Sequence, residues 1–249
     1  MKKAIIIQAR LSSTRLPGKV LREFSNGKTL IEILLLRLKE LKKQNIQIIV
    51  ATSDTKSDDV LADYLAAKFD WVTIFRGDLN NVMKRYYDAA IVNEIETIIR
   101  VTADCPFIDA EVVSKMLESF EDSNLDYLAN TMPPNLSTFS DGFDVEIFTR
   151  AALLRQMNLP GLTLKDKEHV TFLFWGTTHF KTGLFNNSET PNFQFKLSVD
   201  TLNDFLLAET VVNAIGYMKR FSEIEFFIAS DKKISSINSE SKKNSGWDL

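Results

Sequence analysis

The chain has 249 residues, 45% hydrophobic and 25% charged, with only 9 Gly and 6 Pro; this excludes collagenous and disordered chains and is enough for a core without staples. Lys and Arg number 30 against 33 Asp and Glu, a formal net charge of -3, without the basic excess of a protein that coats nucleic acid. One cysteine, Cys105, and two histidines exclude an internal disulfide and a Cys/His zinc cluster.

The first apolar run, 4–9, carries three consecutive isoleucines and predicts a strand. Gln8 and Arg10 interrupt it too soon for a signal h-region. Thr29 and Glu32 stand at capping-box spacing ahead of leucines at helical intervals, predicting a helix over 29–41. Glu32 and Arg37 inside that stretch keep it from spanning a bilayer, so a cytoplasmic protein without a membrane partner is expected. Further strands are predicted at 46–51, 71–75, 97–101 and 126–129, and helices at 57–69, 80–92 and 110–120. Continuous apolar strands alternating with amphipathic helices imply a mainly parallel sheet covered on both faces.

A Pro- and Ser-containing loop follows at 131–142. Beyond it the pattern predicts strands at 143–148 and 193–199, with His179 in another strand. A helix is predicted at 167–175 and another at 205–215, the latter behind a Thr201/Asp204 capping box. Ser222 and Glu225 predict the start of one more, and the Ser/Lys-rich tail from Asp231 reads as frayed at its end. No linker separates independent domains. The expectation is one domain over 1–249, with 1–130 binding a nucleotide and 131–230 completing the sheet and adding a lobe for the second substrate.

Ligands in such folds sit beyond the carboxyl ends of the strands. The loop leaving the first strand holds Arg10, Arg15 and Lys19, the hydroxyls of Ser12, Ser13 and Thr14, and Gly18. A triphosphate needs that combination of cations, donors and close backbone approach. The loop is neither a Walker A loop nor a GxGxxG turn. The plain alternative is a solvated basic turn. Asp104 follows the fourth predicted strand, and Asp200 lies between a predicted strand and a helix. Carboxylates so placed can reach a Mg²⁺ ion bound to phosphates; turn and capping roles are the alternatives.

Residues 7–21, Ile-Gln-Ala-Arg-Leu-Ser-Ser-Thr-Arg-Leu-Pro-Gly-Lys-Val-Leu, resemble the signature of sugar cytidylyltransferases. The nearest group is the spore-coat polysaccharide biosynthesis F-type family, similar to CMP-Kdo synthetases and N-acylneuraminate cytidylyltransferases. The resemblance implies a three-layer α/β/α, nucleotide-diphospho-sugar transferase-like (Rossmann-like) fold. It implies transfer of CMP from CTP to a sugar, a keto-acid sugar by the relatives, with Mg²⁺ or Mn²⁺ as cofactor and a homodimer as one option. Gln8, Ala9, Arg10, Ser13, Arg15 and Lys19 would hold the nucleotide. Arg10 and Lys19 would stabilise the leaving pyrophosphate, and the Asp-x-Pro and Val-Asp-Thr motifs make Asp104 and Asp200 the metal ligands. Arg85, in a segment that resembles the family's apart from Asn81 and Met83, would face cytosine with Thr102. Asn130, Asp141, Asp144 and Glu146, in Asn-Thr and Ser-Asp-Gly-Phe-Asp-Val-Glu patterns, would hold the sugar with Glu168 and His169. A UTP- or dTTP-dependent transferase, a glycosyltransferase and a non-catalytic nucleotide binder of the same fold remain alternatives.

Overall fold

The computed structural model describes residues 1–243. Its strands are β1 (Lys3–Gln8), β2 (Ile46–Ser53), β3 (Thr73–Gly77), β4 (Thr97–Thr102), β5 (Tyr127–Ala129), β6 (Glu146–Thr149) and β7 (Thr182–Leu184). They form one sheet in the order β3-β2-β1-β4-β6-β5-β7. β6 runs antiparallel to β4 and β5, and the other pairings are parallel. Both halves of the chain thus contribute strands to the same sheet.

The helices are α1 (Leu30–Leu38), α2 (Asp59–Lys68), α3 (Val82–Val92), α4 (Ala110–Glu121) and α5 (Arg150–Met157). Then come α6 (Leu164–His169), α7 (Phe172–Gly176), α8 (Leu202–Ile215), α9 (Phe221–Ser230) and α10 (Lys232–Ser235). Side chains alternate across a strand, and β1 shows the result. Ile5 and Ile7 pack with residues of α1, α2, α4, α8 and α9 on one face. Ala4 and Ile6 pack with α3, α5 and α7 on the other. That is the three-layer arrangement the sequence implies. Among the described residues no helix is long and apolar enough to cross a membrane.

The capping boxes at Thr29/Glu32 and Thr201/Asp204 are both formed. Other expectations are corrected. α1 ends at Leu38 and tightens into a 3-10 turn over Lys39–Gln44. β6 begins only at Glu146, because Gly142 and Asp144 make a turn rather than a strand. The helix expected over 167–175 is broken at Val170, whose φ is 59, a region costly for a β-branched residue. The segment 193–199 is not a strand: it meets the rest of the chain through an isolated bridge, Asp141 to Lys196. β7 starts after His179, which lies outside any strand. α9 starts at Phe221, with Arg220 rather than Ser222 at the N-cap position, two residues earlier than expected, and the Arg220 amide donating to the Glu223 carboxylate at 2.9 Å. Asn238 in the tail is buried; the end expected to fray lies outside the described residues.

Candidate active site

At β1 the strand order changes direction: β2 lies on one side and β4 on the other. A crevice opens beyond the carboxyl ends of strands at such a point. The loop leaving β1 lines it, and buried Asp58 anchors that loop by accepting from the Leu11 amide at 2.8 Å. The Ser13 and Gly18 amides donate to the Leu11 carbonyl at 2.8 and 3.2 Å. Gly18 takes φ 67, a conformation glycine adopts without penalty, and so turns the chain into the 3-10 turn Lys19–Leu21. Lys19 therefore points inward, while Ser12, Thr14 and Arg15 stay exposed. Gln8, Ala9, Arg10, Ser13, Arg15 and Lys19 all line this first lobe, of ≈ 750 Å³.

Asp104 and Asp200 meet at its floor. The Lys19 ammonium donates to Asp104 Oδ2 at 2.8 Å and to Asp200 Oδ1 at 2.9 Å. Arg15 reaches the same Asp200 Oδ1 at 3.0 Å. The backbone brings the two acids together: the Val199 amide donates to the Asp104 carbonyl at 2.8 Å. Segment 193–199 is thus a staple between loops. Burial alone would push the Lys19 ammonium down, but the charges of Asp104 and Asp200 hold it above its ordinary value. Burial likewise opposes ionisation of Asp104, and Lys19 overrides it, holding the carboxyl well below the usual range. Two hard oxygens facing one cation suit Mg²⁺ or Mn²⁺, and Mg²⁺ commonly takes one or two carboxylates plus phosphate and water. Among the described residues no group of three or more His, Cys, Asp or Glu could hold a metal, so the remaining ligands would come from phosphate and water.

A second lobe, of ≈ 770 Å³, shares Arg15, Thr102, Asp104 and Asp200 with the first. Asp141, Asp144, Glu146 and His169 line it. Gly142 lets the Asp141–Asp144 turn press against the staple. A Cβ there would sit 2.4 Å from the Ser198 nitrogen and 2.5 Å from the Leu197 carbonyl carbon, at φ +108. Gly142→Ala is therefore expected to destabilise the fold by about 2 kcal/mol or more, measured as a shift in urea midpoint. Ser140 ties this turn to α9 and the staple. Its hydroxyl donates to Glu225 at 2.6 Å and accepts from the Phe195 amide at 3.1 Å.

Burial, and then the charge of Asp141, push the Asp144 carboxyl up to about 7, against about 4 for an unperturbed aspartate. Between those values the folded chain keeps a proton that the unfolded chain has released. Stability contributed by this group is full below about pH 4 and is lost as pH rises through about 7. Asp144→Asn should flatten that decline, read as denaturant midpoints between about pH 4 and about pH 8; an unchanged slope would assign the decline elsewhere.

Three predicted sugar ligands are differently placed. Asn130 is buried with its amide committed, donating to Phe143 O at 2.7 Å and accepting from Val145 N at 2.8 Å. Glu146 is almost wholly buried: Arg100 pairs with it, and the hydroxyls of Tyr127 and Thr171 donate to its Oε1. It braces the lobe more than it faces it. Glu168 is exposed, lines neither lobe, and pairs at 3.3 Å with Arg10 of the first lobe. Burial, with smaller contributions from neighbouring charges, lowers the His169 imidazole below its ordinary value. Thr102, expected to face cytosine with Arg85, lines both lobes. Arg85 lies in neither: it is fully buried, its Nη1 donates to Asp78 O at 2.8 Å, and no hydrogen-bond partner is found for its Nε and Nη2 among the described residues. Asn81 caps α3 by accepting from the Lys84 amide.

The comparisons agree with this architecture. Residues 4–231 match the cytidylyltransferase family model. The chain is 30% identical over 207 residues to the spore coat polysaccharide biosynthesis protein SpsF of Bacillus subtilis, covering 80% of this chain and 82% of that one. It is 33% identical over 135 residues to 3-deoxy-manno-octulosonate cytidylyltransferase of Agrobacterium fabrum, a match covering 53% of this chain and 51% of that protein. The solved cytidylyltransferase of Leptospira borgpetersenii superposes with a TM-score of 0.84 at 29% identity, covering 94% of this chain and 97% of that one. The protein is a nucleotidyltransferase. More narrowly, it belongs to the cytidylyltransferase family.

Proposed function

We propose that the protein transfers CMP from CTP to a sugar hydroxyl, releasing pyrophosphate, for the biosynthesis of a surface polysaccharide or glycoconjugate. The observation that carries this reading is the convergence of Asp104 and Asp200 on Lys19 beneath the loop of Arg10, Ser13 and Arg15. The first lobe receives the triphosphate. Its cations and loop amides hold the phosphates and neutralise charge as pyrophosphate departs. The second lobe holds the acceptor. Asp141 and Asp144 accept from its hydroxyls and turn one of them toward the α-phosphorus, where positioning alone can supply much of the rate. The oxygen–phosphorus bond forms in line as the bond to the β-phosphate breaks, and the hydroxyl proton passes to water. Asp104 and Asp200 would hold Mg²⁺ or Mn²⁺, which when bound supplies charge neutralisation at the α-phosphate and lowers the hydroxyl's pKa. A keto-acid sugar would bring its carboxylate to Arg15, the exposed guanidinium shared by both lobes. Similarity to SpsF and to 3-deoxy-manno-octulosonate cytidylyltransferase supports the substrate class.

Titration calorimetry with CTP, UTP and dTTP in Mg²⁺ tests the nucleotide, followed by a pyrophosphate-release screen at fixed CTP over neutral and keto-acid sugars. CTP is expected to bind best and one sugar group to release pyrophosphate. Preference for UTP or dTTP, or hydrolysis of a nucleotide sugar without CTP consumption, would overturn the reading.

A further inference from the structure

Lys196 lies outside every motif singled out in the sequence, yet it is only 3% exposed. A buried ammonium must be paired to be tolerated. Its Nζ donates to Asp200 Oδ2 at 2.9 Å, to Ser198 Oγ at 2.6 Å and to the Ser198 carbonyl at 3.1 Å. Asp141 Oδ2 and Asp204 Oδ2 each lie 3.9 Å away. The lysine does not line either lobe of the cleft. Its backbone is fixed from both sides. The Leu197 amide donates to the Asp141 carbonyl at 2.6 Å, and Asn238 donates to the Lys196 carbonyl at 2.9 Å.

The two oxygens of Asp200 therefore have different company. Oδ1 meets Lys19 and Arg15, both of which line the phosphate lobe. Oδ2 meets Lys196, walled off behind the site. The Asp200 amide is also held, donating to Asp204 Oδ2 at 3.1 Å. We infer that Lys196 is a positioning residue: it locks Asp200 from the rear so that Oδ1 alone is presented to the cleft, and through Asp141 it ties the acceptor lobe to that carboxylate. The cleft-side cations can then give way to a metal–nucleotide complex without Asp200 turning. This inference rests on the metal role of Asp200 in the proposed function.

The test is titration calorimetry with CTP, with Mn²⁺ and separately with EDTA. Outer-shell partners commonly contribute 10–100-fold to metal affinity, so Lys196→Gln is expected to lose about tenfold or more of the Mn²⁺-dependent gain in CTP affinity. Binding in EDTA should stay within about twofold, because the phosphate loop is untouched. Lys196→Arg, which keeps the charge, should restore most of the gain. In the Asp200→Asn background the Lys196→Gln effect should vanish, since the two residues act as one unit. Equal losses with Mn²⁺ and with EDTA would make Lys196 merely structural and overturn the inference, as would an unchanged Mn²⁺ gain. If Lys196→Gln does not fold, Ser198→Ala removes one of the groups accepting from Nζ. A partial loss of the Mn²⁺ gain is then expected, and no loss overturns the inference. A wild-type protein that shows no Mn²⁺ gain instead overturns the metal assignment of the proposed function.

Discussion

Asp104→Ala is expected to slow Mg²⁺-dependent pyrophosphate release from CTP by about 10²–10³-fold, the usual scale for removing one electrostatic stabiliser of a transition state. Asp104 sits just past β4 and offers Oδ2 to the position that Lys19 fills. Its loss removes one of two hard oxygens and leaves the ammonium with Asp200 alone. The Asp104 backbone carbonyl, which accepts from Val199, is unaffected, so the staple should hold, while the thermal midpoint falls because Lys19 keeps only Asp200 as its carboxylate partner. Steady-state rates with the acceptor found in the screen, beside a melting curve, separate the two effects. A folded variant that turns over at the wild-type rate would remove Asp104 from the metal site.

Arg100→Met should give the largest loss of stability, about 3–5 kcal/mol, because breaking a buried ion pair strands the remaining charge. Arg100 on β4 and Glu146 on β6 are directly opposed in the antiparallel ladder and form an ion pair. Burial alone would lower the Arg100 guanidinium, but Glu146 holds it above its ordinary value. Tyr127 on β5 and Thr171 in the break between α6 and α7 donate to the same carboxylate. Chemical denaturation of Arg100→Met beside Arg100→Met/Glu146→Gln resolves the mechanism. The double variant should recover much of the loss, since the Gln carbonyl still accepts from Tyr127 and Thr171 but leaves no buried charge unpaired. If the double variant is as unstable as the single, packing and not stranded charge sets the cost.

The first half of the chain was legible because its signals are local. Three isoleucines mark β1, Thr29 and Glu32 cap α1, and the loop between them advertises its chemistry in consecutive residues. Asp104 and Asp200 were legible for the same reason: each follows an apolar run and stands before helical periodicity. The sequence did not reveal what depends on distant pairing. Lys196 resembles any polar residue of an alternating run until Asp200, Asp141 and Asp204 gather around it. Glu146 reads as an open acceptor until Arg100 and two hydroxyls enclose it. Nothing in 167–175 foretold Val170 at positive φ, because its cost is met by tertiary packing of a fully buried side chain. β7 has three residues and α5 eight, too few for periodicity to stand out.

Asn238 joins parts of the molecule that are far apart in the chain. One amide nitrogen donates to the Lys196 carbonyl, 42 residues earlier, and to Asp204 Oδ1 at 2.8 Å. The rear wall of the candidate site is thus closed by a residue remote in the chain from the loop that lines its front, so the wall depends on tertiary closure: Asn238 has to dock on Lys196 and Asp204 before Asp200 is held from behind.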